Sequence, residues 1–333
     1  MSQAGTTTID SGSVRGRTAR ARVASFVQRQ GALLALLLVG AFAAVRYERF
    51  LTEENLTNVL RQQSMLGLVA LGMTFVILTG GIDLSVGALV AVAGVAAASL
   101  AGQGVVVALV AGVGIGAALG LTNGLFIAKA RIQPFIVTLA MMIAARGAAL
   151  LYTNEKSVGV GPQALGFRQL ARGEVYLGLF SVPYPVVALA LAFVAGGLVL
   201  NYTRFGRHVY ALGDNEEASR LMGLNVGRVT LGVYVLSGAL AGLAGVLDAA
   251  RLGSGRPVAG VGWELDAIAA VVVGGTLLTG GQGGVGSTLV GVLLLGVILN
   301  VLTQENISPW WQLVLRGVIL LAVVIVQNRL SKR

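Results

Sequence analysis

Long runs of apolar residues alternate along the chain with short polar breaks. A bilayer core of about 30 Å needs about 20 apolar residues in a helix rising ~1.5 Å per residue. On that measure the pattern predicts ten membrane helices, near 31–46, 57–79, 84–101, 104–128, 134–153, 181–201, 229–251, 263–279, 285–303 and 309–327. The first run is short, and 263–279 has the weakest pattern. The expected organisation is an all-α integral membrane protein. It has a basic arm over 1–30, a polytopic domain over 31–327 and a short tail over 328–333. The run 31–46 also has the form of a signal-peptide core, with Ala41-Phe42-Ala43 resembling a cleavage site. The long basic segment before it favours an uncleaved first helix.

Composition agrees with the pattern. Hydrophobic residues make up 56% of the 333 and charged residues 11%, where a soluble domain carries roughly 25% charged. Mean hydropathy is +0.83. A soluble globule cannot cover its surface with so few polar groups. There are 0 cysteines and one histidine, His208, which argues against a disulfide scaffold, thiolate metal sites and most histidine chemistry. No G-x-x-x-x-G-K-[ST] phosphate loop occurs. Neither a catalytic site nor a bound cofactor or metal is expected. Gly is unusually abundant at 48 residues, as close helix packing in a membrane wants.

The net charge of +10 invites a nucleic-acid reading, but basic side chains near membrane helices have a simpler role in setting topology. With the N-terminus in the cytoplasm, 14 of the 24 Lys and Arg fall in cytoplasmic segments and 8 outside, with Arg146 and Arg316 within spans. This bias puts both termini in the cytoplasm, with no nucleic-acid partner and lipid as the surrounding medium. The long loop 154–180 is then external, and the long loop 202–228 cytoplasmic.

The chain echoes itself. Residues 77–90 read ILTGGIDLSVGALV and residues 277–290 read LLTGGQGGVGSTLV. Glycine C-capping explains part of this, and two equivalent corners from a weak internal repeat explain the rest. Both corners are expected on the cytoplasmic side. Asp83 and Ser85 in the first corner are either helix N-caps or a gate or pathway element.

Several segments resemble one family in order: GMTFVILTGGIDLSVGALVA (72–91), LTNGLFIAKARIQPFIVTLAMMIAARG (121–147), GRHVYALGDNEEASRLMGLNV (206–226), YVLSGALAGLAGVL (234–247) and GWELDAIAAVVVGGTLLTGGQGGVGSTLVG (262–291). The chain resembles the membrane permease subunits of ribose-type ABC sugar importers, which serve ribose, xylose, arabinose, galactose and related sugars. The resemblance implies the ABC importer permease fold in the bacterial inner membrane. It also implies a second permease subunit, identical or related, a cytoplasmic ATPase with two cassettes that uses the ATP, and a periplasmic or lipid-anchored sugar-binding protein. Ribose leads among the sugars.

The segment Asp214, Asn215, Glu216, Glu217, Ala218, Ser219, Arg220, Leu221, Met222, Gly223 predicts a short cytoplasmic helix. Asp214 or Asn215 caps it, Glu216 and Glu217 complement its positive end, and Gly223 closes it. Ala218, Leu221 and Met222 share an apolar face. That face lies on lipid headgroups or, as the resemblance implies, docks on the ATPase. Arg146 and Arg316 lie within spans, and an ionisable group there costs enough to signal a role. Asp248, Glu264 and Asp266 are the acids expected near their level, so ion pairing and solute contact are the two readings. Asn123, Gln133, Thr138, Asn300 and Thr303 are candidates for a neutral solute's path or for interhelical hydrogen bonds.

Two other classes compete. A secondary transporter wants an acid at the membrane midplane, and the span pattern places Asp83 at the cytoplasmic end and Asp248 and Asp266 near the outer end. A related ABC permease for branched-chain amino acids or another small solute would keep the fold and change the cargo.

Overall fold

The computed structural model describes residues 30–176, 178 and 181–331. The basic arm, Gln30 excepted, and residues 332–333 of the tail lie outside the described residues. Each predicted apolar run contains a helix. Helix α1 spans Gln30–Arg46. Helix α2 spans Glu53–Leu78, capped by Thr52, whose hydroxyl accepts from Asn55 N–H. It is followed by α3 (Val86–Leu100), α4 (Val105–Ala130) and α5 (Pro134–Thr153). Among the described residues, seven helices are long and apolar enough to cross a membrane by length and composition.

Helix α2 is the hub. Every residue from Gln63 to Leu78 is buried. Helices α4 and α5 instead expose most of their apolar surface, as side chains facing lipid hydrocarbon do. Helix α10 (Val226–Leu252) packs on α2, α3 and α4. The sequence explains its closeness to α4: Gly112, Gly116, Gly120 and Gly124 recur every fourth residue, so all four lie along one face. A Cβ on Gly116 would overlap the carbonyl oxygen of Gly238 and sit 2.8 Å from Gly242 Cα. The two backbones touch because neither side carries a side chain at the crossing.

The segment after α5 forms a cap at one end of the bundle. It contains β1 (Val158–Gly159), α6 (Leu165–Arg172) and the hairpin β2 (Glu174–Tyr176)–β3 (Ser181–Pro183). Strand β1 pairs with β4 (Ser254–Gly255), just past α10. Phe167 and Ala171 bury against Ala97, Ala249 and Ala250, and Arg61 of α2 meets Glu174 at 2.6 Å. Helix α7 (Tyr184–Tyr202) returns to the other end.

That other end corrects two expectations. The stretch 202–228 forms two helices, α8 (Arg204–Asp214) and α9 (Glu216–Leu221), broken at Asn215. The weak run 263–279 is not one span. Helix α11 covers only Trp263–Val273, about 16 Å at ~1.5 Å per residue, or half a bilayer. Residues 274–284 leave the helix, with Gly275, Gly280, Gly281 and Gly283 at positive φ, a conformation that favours glycine. The chain then resumes as α12 (Val285–Gln304) and α13 (Pro309–Ser331).

Candidate functional site

The two Leu-Thr-Gly-Gly corners meet. Each turns in the same way: Gly80 N–H donates to Ile77 O at 2.8 Å, and Gly280 N–H donates to Leu277 O at 3.0 Å. Gly80 and Gly280 take φ of 77° and 88°. Across the junction, Gly281 N–H donates to Leu78 O at 3.0 Å. The echo in the sequence therefore marks two like corners in contact.

A third segment closes on this junction. A Cβ at Gly213, near the end of α8, would overlap Leu78 O and lie 2.5 Å from Gly281 N. Tyr210, one turn earlier, donates from its hydroxyl to Gly283 O at 2.8 Å, and burial pushes its phenol above the usual value. From there the chain enters α9. Asn215 is the cap, accepting from Ala218 N–H at 2.8 Å. Ser219 donates from its hydroxyl to Ala211 O at 2.8 Å, tying α9 back to α8. Arg220 pairs with Glu216 at 2.8 Å, and Glu216 and Glu217 lie in the first turn. Asp214 ends α8 and does not cap α9. Gly223, with φ of 82°, follows the helix. Leu221 is 84% exposed and Met222 76%, while Ala218 is half-buried.

Asp83 sits elsewhere than expected. Its carboxylate is fully buried. One oxygen accepts from Ser85 N–H at 3.0 Å and Ser85 Oγ at 2.6 Å; the other accepts from Ser237 Oγ at 2.9 Å. Asn123 Nδ2 completes the cluster on Ser85 Oγ at 2.9 Å. Ser237 lies near the middle of α10, so Asp83 is at mid-height of the bundle and not at the end where the two corners meet. The chain reverses at Gly80–Gly81 and climbs back before α3 begins, which the run pattern hides. The argument that no acid lies at mid-membrane therefore fails. Asp83, Ser85 and Asn123 are buried against one another and line no open path here.

The other polar candidates separate. Thr138 donates to Pro134 O at 2.9 Å and approaches Ile82 O at 3.3 Å. Gln133, just before α5, lines an open cavity of about 720 Å³ with Thr79, Gly80, Arg131, Arg220 and Tyr234. Asn300 lies toward the cap end, donating to Asn55 Oδ1 at 2.8 Å. Thr303 is one turn further on. The intramembrane charges follow two patterns. Arg316 pairs with Asp266 at 2.6 Å, and Asp248 pairs with Arg251 at 3.0 Å and Arg256 at 3.6 Å. Arg146 donates to the carbonyls of Pro257 and Ala259 at 2.6 and 2.7 Å, with Glu264 close enough for its charge to act on the guanidinium.

Residue-by-residue reading missed Gly213, Tyr210, Ser237 and Asn55. Ser237 and Asn55 carried a usable signal, as hydroxyl and amide groups in or beside apolar runs. Gly213 carried none, because its importance lies in what touches it. Among the described residues, no group of three or more His, Cys, Asp or Glu has the placement to hold a metal ion.

Residues 55–324 match the family described as branched-chain amino acid transport system / permease component. The ribose import permease protein of Escherichia coli is 44% identical over 310 residues, covering 92% of this chain and 95% of its own. That of Bacillus subtilis is 44% identical over 308 residues, covering 92% and 94%. The L-arabinose ABC transporter permease protein of Azospirillum brasilense is 37% identical over 318 residues, covering 95% and 92%. No solved structure matches the chain.

Proposed function

This chain belongs to the branched-chain amino acid transport system / permease component family, and on that premise we propose that it is the membrane subunit of an ABC importer carrying a monosaccharide, ribose or a related pentose or hexose. It is a multi-pass inner-membrane protein and a transport subunit. The observation that carries the sugar class is similarity over more than nine-tenths of the chain to relatives named for ribose and L-arabinose. The family description names branched-chain amino acids, but these near-full-length relatives favour sugar over that cargo. The same family membership favours ATP-driven import over a secondary transporter, now that the position of Asp83 no longer argues against one.

The ATP is used by a separate cytoplasmic ATPase with two cassettes, and a sugar-binding protein delivers the solute. The corner end faces the cytoplasm, with both termini, and the 154–183 cap faces outward. Segment Asp214–Gly223 docks in the ATPase. The exposed pair Leu221 and Met222 supports this, because two large apolar side chains on a polar loop gain roughly 1.5–3 kcal/mol each when a partner's groove buries them. Gly213 then links the docked segment to both corners through backbone contact.

The test is co-purification of the tagged chain with its ATPase, followed by reconstitution in liposomes with the binding protein that accompanies it. ATP-dependent uptake of D-ribose or L-arabinose is the expected result. Assembly with an ATPase but uptake of neither sugar, with a branched-chain amino acid imported instead, would reverse the cargo.

A further inference from the structure

We propose that the non-helical stretch 256–262, with the first turn of α11, is the wall that this subunit gives to the solute path, facing the same stretch of a second copy across water. The inference rests on the sugar-import reading and deepens it by naming the part of the chain that the solute passes.

The chain enters the membrane here without a helix. After α10 and β4, residues 256–262 belong to neither helix nor strand, yet they descend along α3. A Cβ on Gly255 would lie 2.6 Å from Gly94 O, and one on Gly260 would lie 2.6 Å from Gly87 O. Those contacts are seven residues of α3 apart, about 10 Å at ~1.5 Å per residue. Gly87 is in the first turn of α3, two positions after Ser85, which binds the mid-height Asp83. The stretch therefore reaches nearly half-way through the bundle. Arg146 holds it from α5 through Pro257 O and Ala259 O. Pro257 and Ala259 are buried, and the residues between and beyond them turn outward: Val258 is 57% exposed, Val261 69% and Leu265 52%.

Irregular backbone at that depth does not face lipid, which offers its N–H and C=O groups nothing; it is covered by protein or lines water. One chain leaves this stretch open, so another polypeptide stands opposite. A two-fold contact sets a patch against its own copy, which makes a second copy of this chain the partner. Charge decides for water between them. Arg256 keeps 43% of its side chain exposed, and Arg316 beside Asp266 keeps 30%. A dry seam would strip these groups of water at a cost that pairing does not repay. Arg256 and Asp266 are already paired, with Asp248 and Arg316, so the wall sets no strong field against a neutral sugar.

The chain has 0 cysteines, so a single Val261→Cys is a clean reporter, and Val258→Cys repeats the test independently. The comparison is Val110→Cys, at a comparably exposed residue of α4. In the permease–ATPase complex in liposomes, a small hydrophilic methanethiosulfonate should modify Val261→Cys about tenfold or more faster than Val110→Cys, because only the thiolate reacts and apolar surroundings keep the thiol protonated. That modification should remove most ATP-dependent uptake of D-ribose or L-arabinose with the ATPase still bound. A flexible bismaleimide should join two Val261→Cys copies. Modification no faster than at Val110→Cys puts the stretch against lipid and overturns the proposal. A disulfide between two copies without methanethiosulfonate reaction makes it a dry seam and also overturns it. So does fast modification without bridging, which removes the second copy, or with unchanged uptake, which removes the solute. A wild-type complex that imports neither sugar sinks the import reading; the wet wall between copies is then judged by modification and bridging, which are read without sugar.

Discussion

Two glycines two residues apart in α4 should respond in opposite ways to the same added methyl group. Gly114 points to open space, with nothing within 4 Å of a built Cβ. Alanine there gains helix propensity of roughly 0.8–1 kcal/mol and loses no contact. Gly116 lies against α10. Its Cβ would overlap Gly238 O and approach Gly242 Cα at 2.8 Å and N at 3.0 Å. All three obstacles are backbone in a helix packed on three neighbours, so no rotamer change relieves the overlap. Overpacking of this kind typically costs 1–3 kcal/mol, and with backbone on every side the upper end applies. After the propensity gain, Gly116→Ala should lose about 2 kcal/mol, a melting shift of a few degrees. Gly238→Ala should behave like it, since its Cβ overlaps Gly116 O and lies 3.0 Å from Gly120 Cα. The assay is detergent-purified permease heated in steps, with surviving folded protein read by size-exclusion chromatography. Gly114→Ala should equal or exceed wild type. Wild-type stability in Gly116→Ala would show that α4 and α10 do not approach at backbone contact, and the packing argument would collapse.

Leu221→Glu with Met222→Glu should weaken ATPase docking by about 10²–10³-fold, from two large apolar groups at 1.5–3 kcal/mol each partly offset by ordering; unchanged co-purification and stimulated ATPase activity would refute the docking face. Arg316→Met leaves Asp266 half-buried without its charge partner and should cost about 1–3 kcal/mol, read as earlier thermal loss of the complex. Adding Asp266→Asn should recover part of that, and no recovery would mean the pair is not the cause. For topology, Ser157→Cys should react with an impermeant maleimide outside intact cells and Glu217→Cys should not. Both positions are exposed, and the reverse pattern would invert the orientation.

Much of this protein was legible before any coordinates. Apolar runs act locally: each residue's transfer free energy adds to its neighbours', so runs such as 104–128 and 285–303 identify helices without knowledge of their partners. Short polar signals also read well. Asp214 or Asn215 followed by Glu216 and Glu217, with Gly223 beyond, predicted a short helix, and α9 runs Glu216–Leu221 with Asn215 as its cap. The paired Leu-Thr-Gly-Gly corners were visible as a repeat.

What escaped depends on which distant backbones touch. Asp83 looked like an end-of-helix cap because the run pattern counts residues and cannot see the chain reverse and climb. Only the hydrogen bond to Ser237 puts it at mid-height. Arg146 has the expected acid Glu264 within electrostatic reach, but its hydrogen bonds go to two carbonyls from the segment after α10, which the sequence could not announce because backbone oxygens carry no sequence identity. The run 263–279 read as a span because Val271–Val273 and Leu277–Leu278 are apolar on either side of Gly274–Gly275. The chain leaves the helix there, at the level where α2 and α8 arrive. Nothing in sequence separates a glycine that must stay bare, such as Gly213, from one that need not, such as Gly197. The first has two backbones against it and the second has open space. Residence in the membrane and the all-α class were thus matters of local composition. The meeting of the corners, the height of the buried acid and the seat of α8 upon them were decided by tertiary packing, since contacts between residues 80, 213 and 281 leave no trace in the neighbourhood of any one of them.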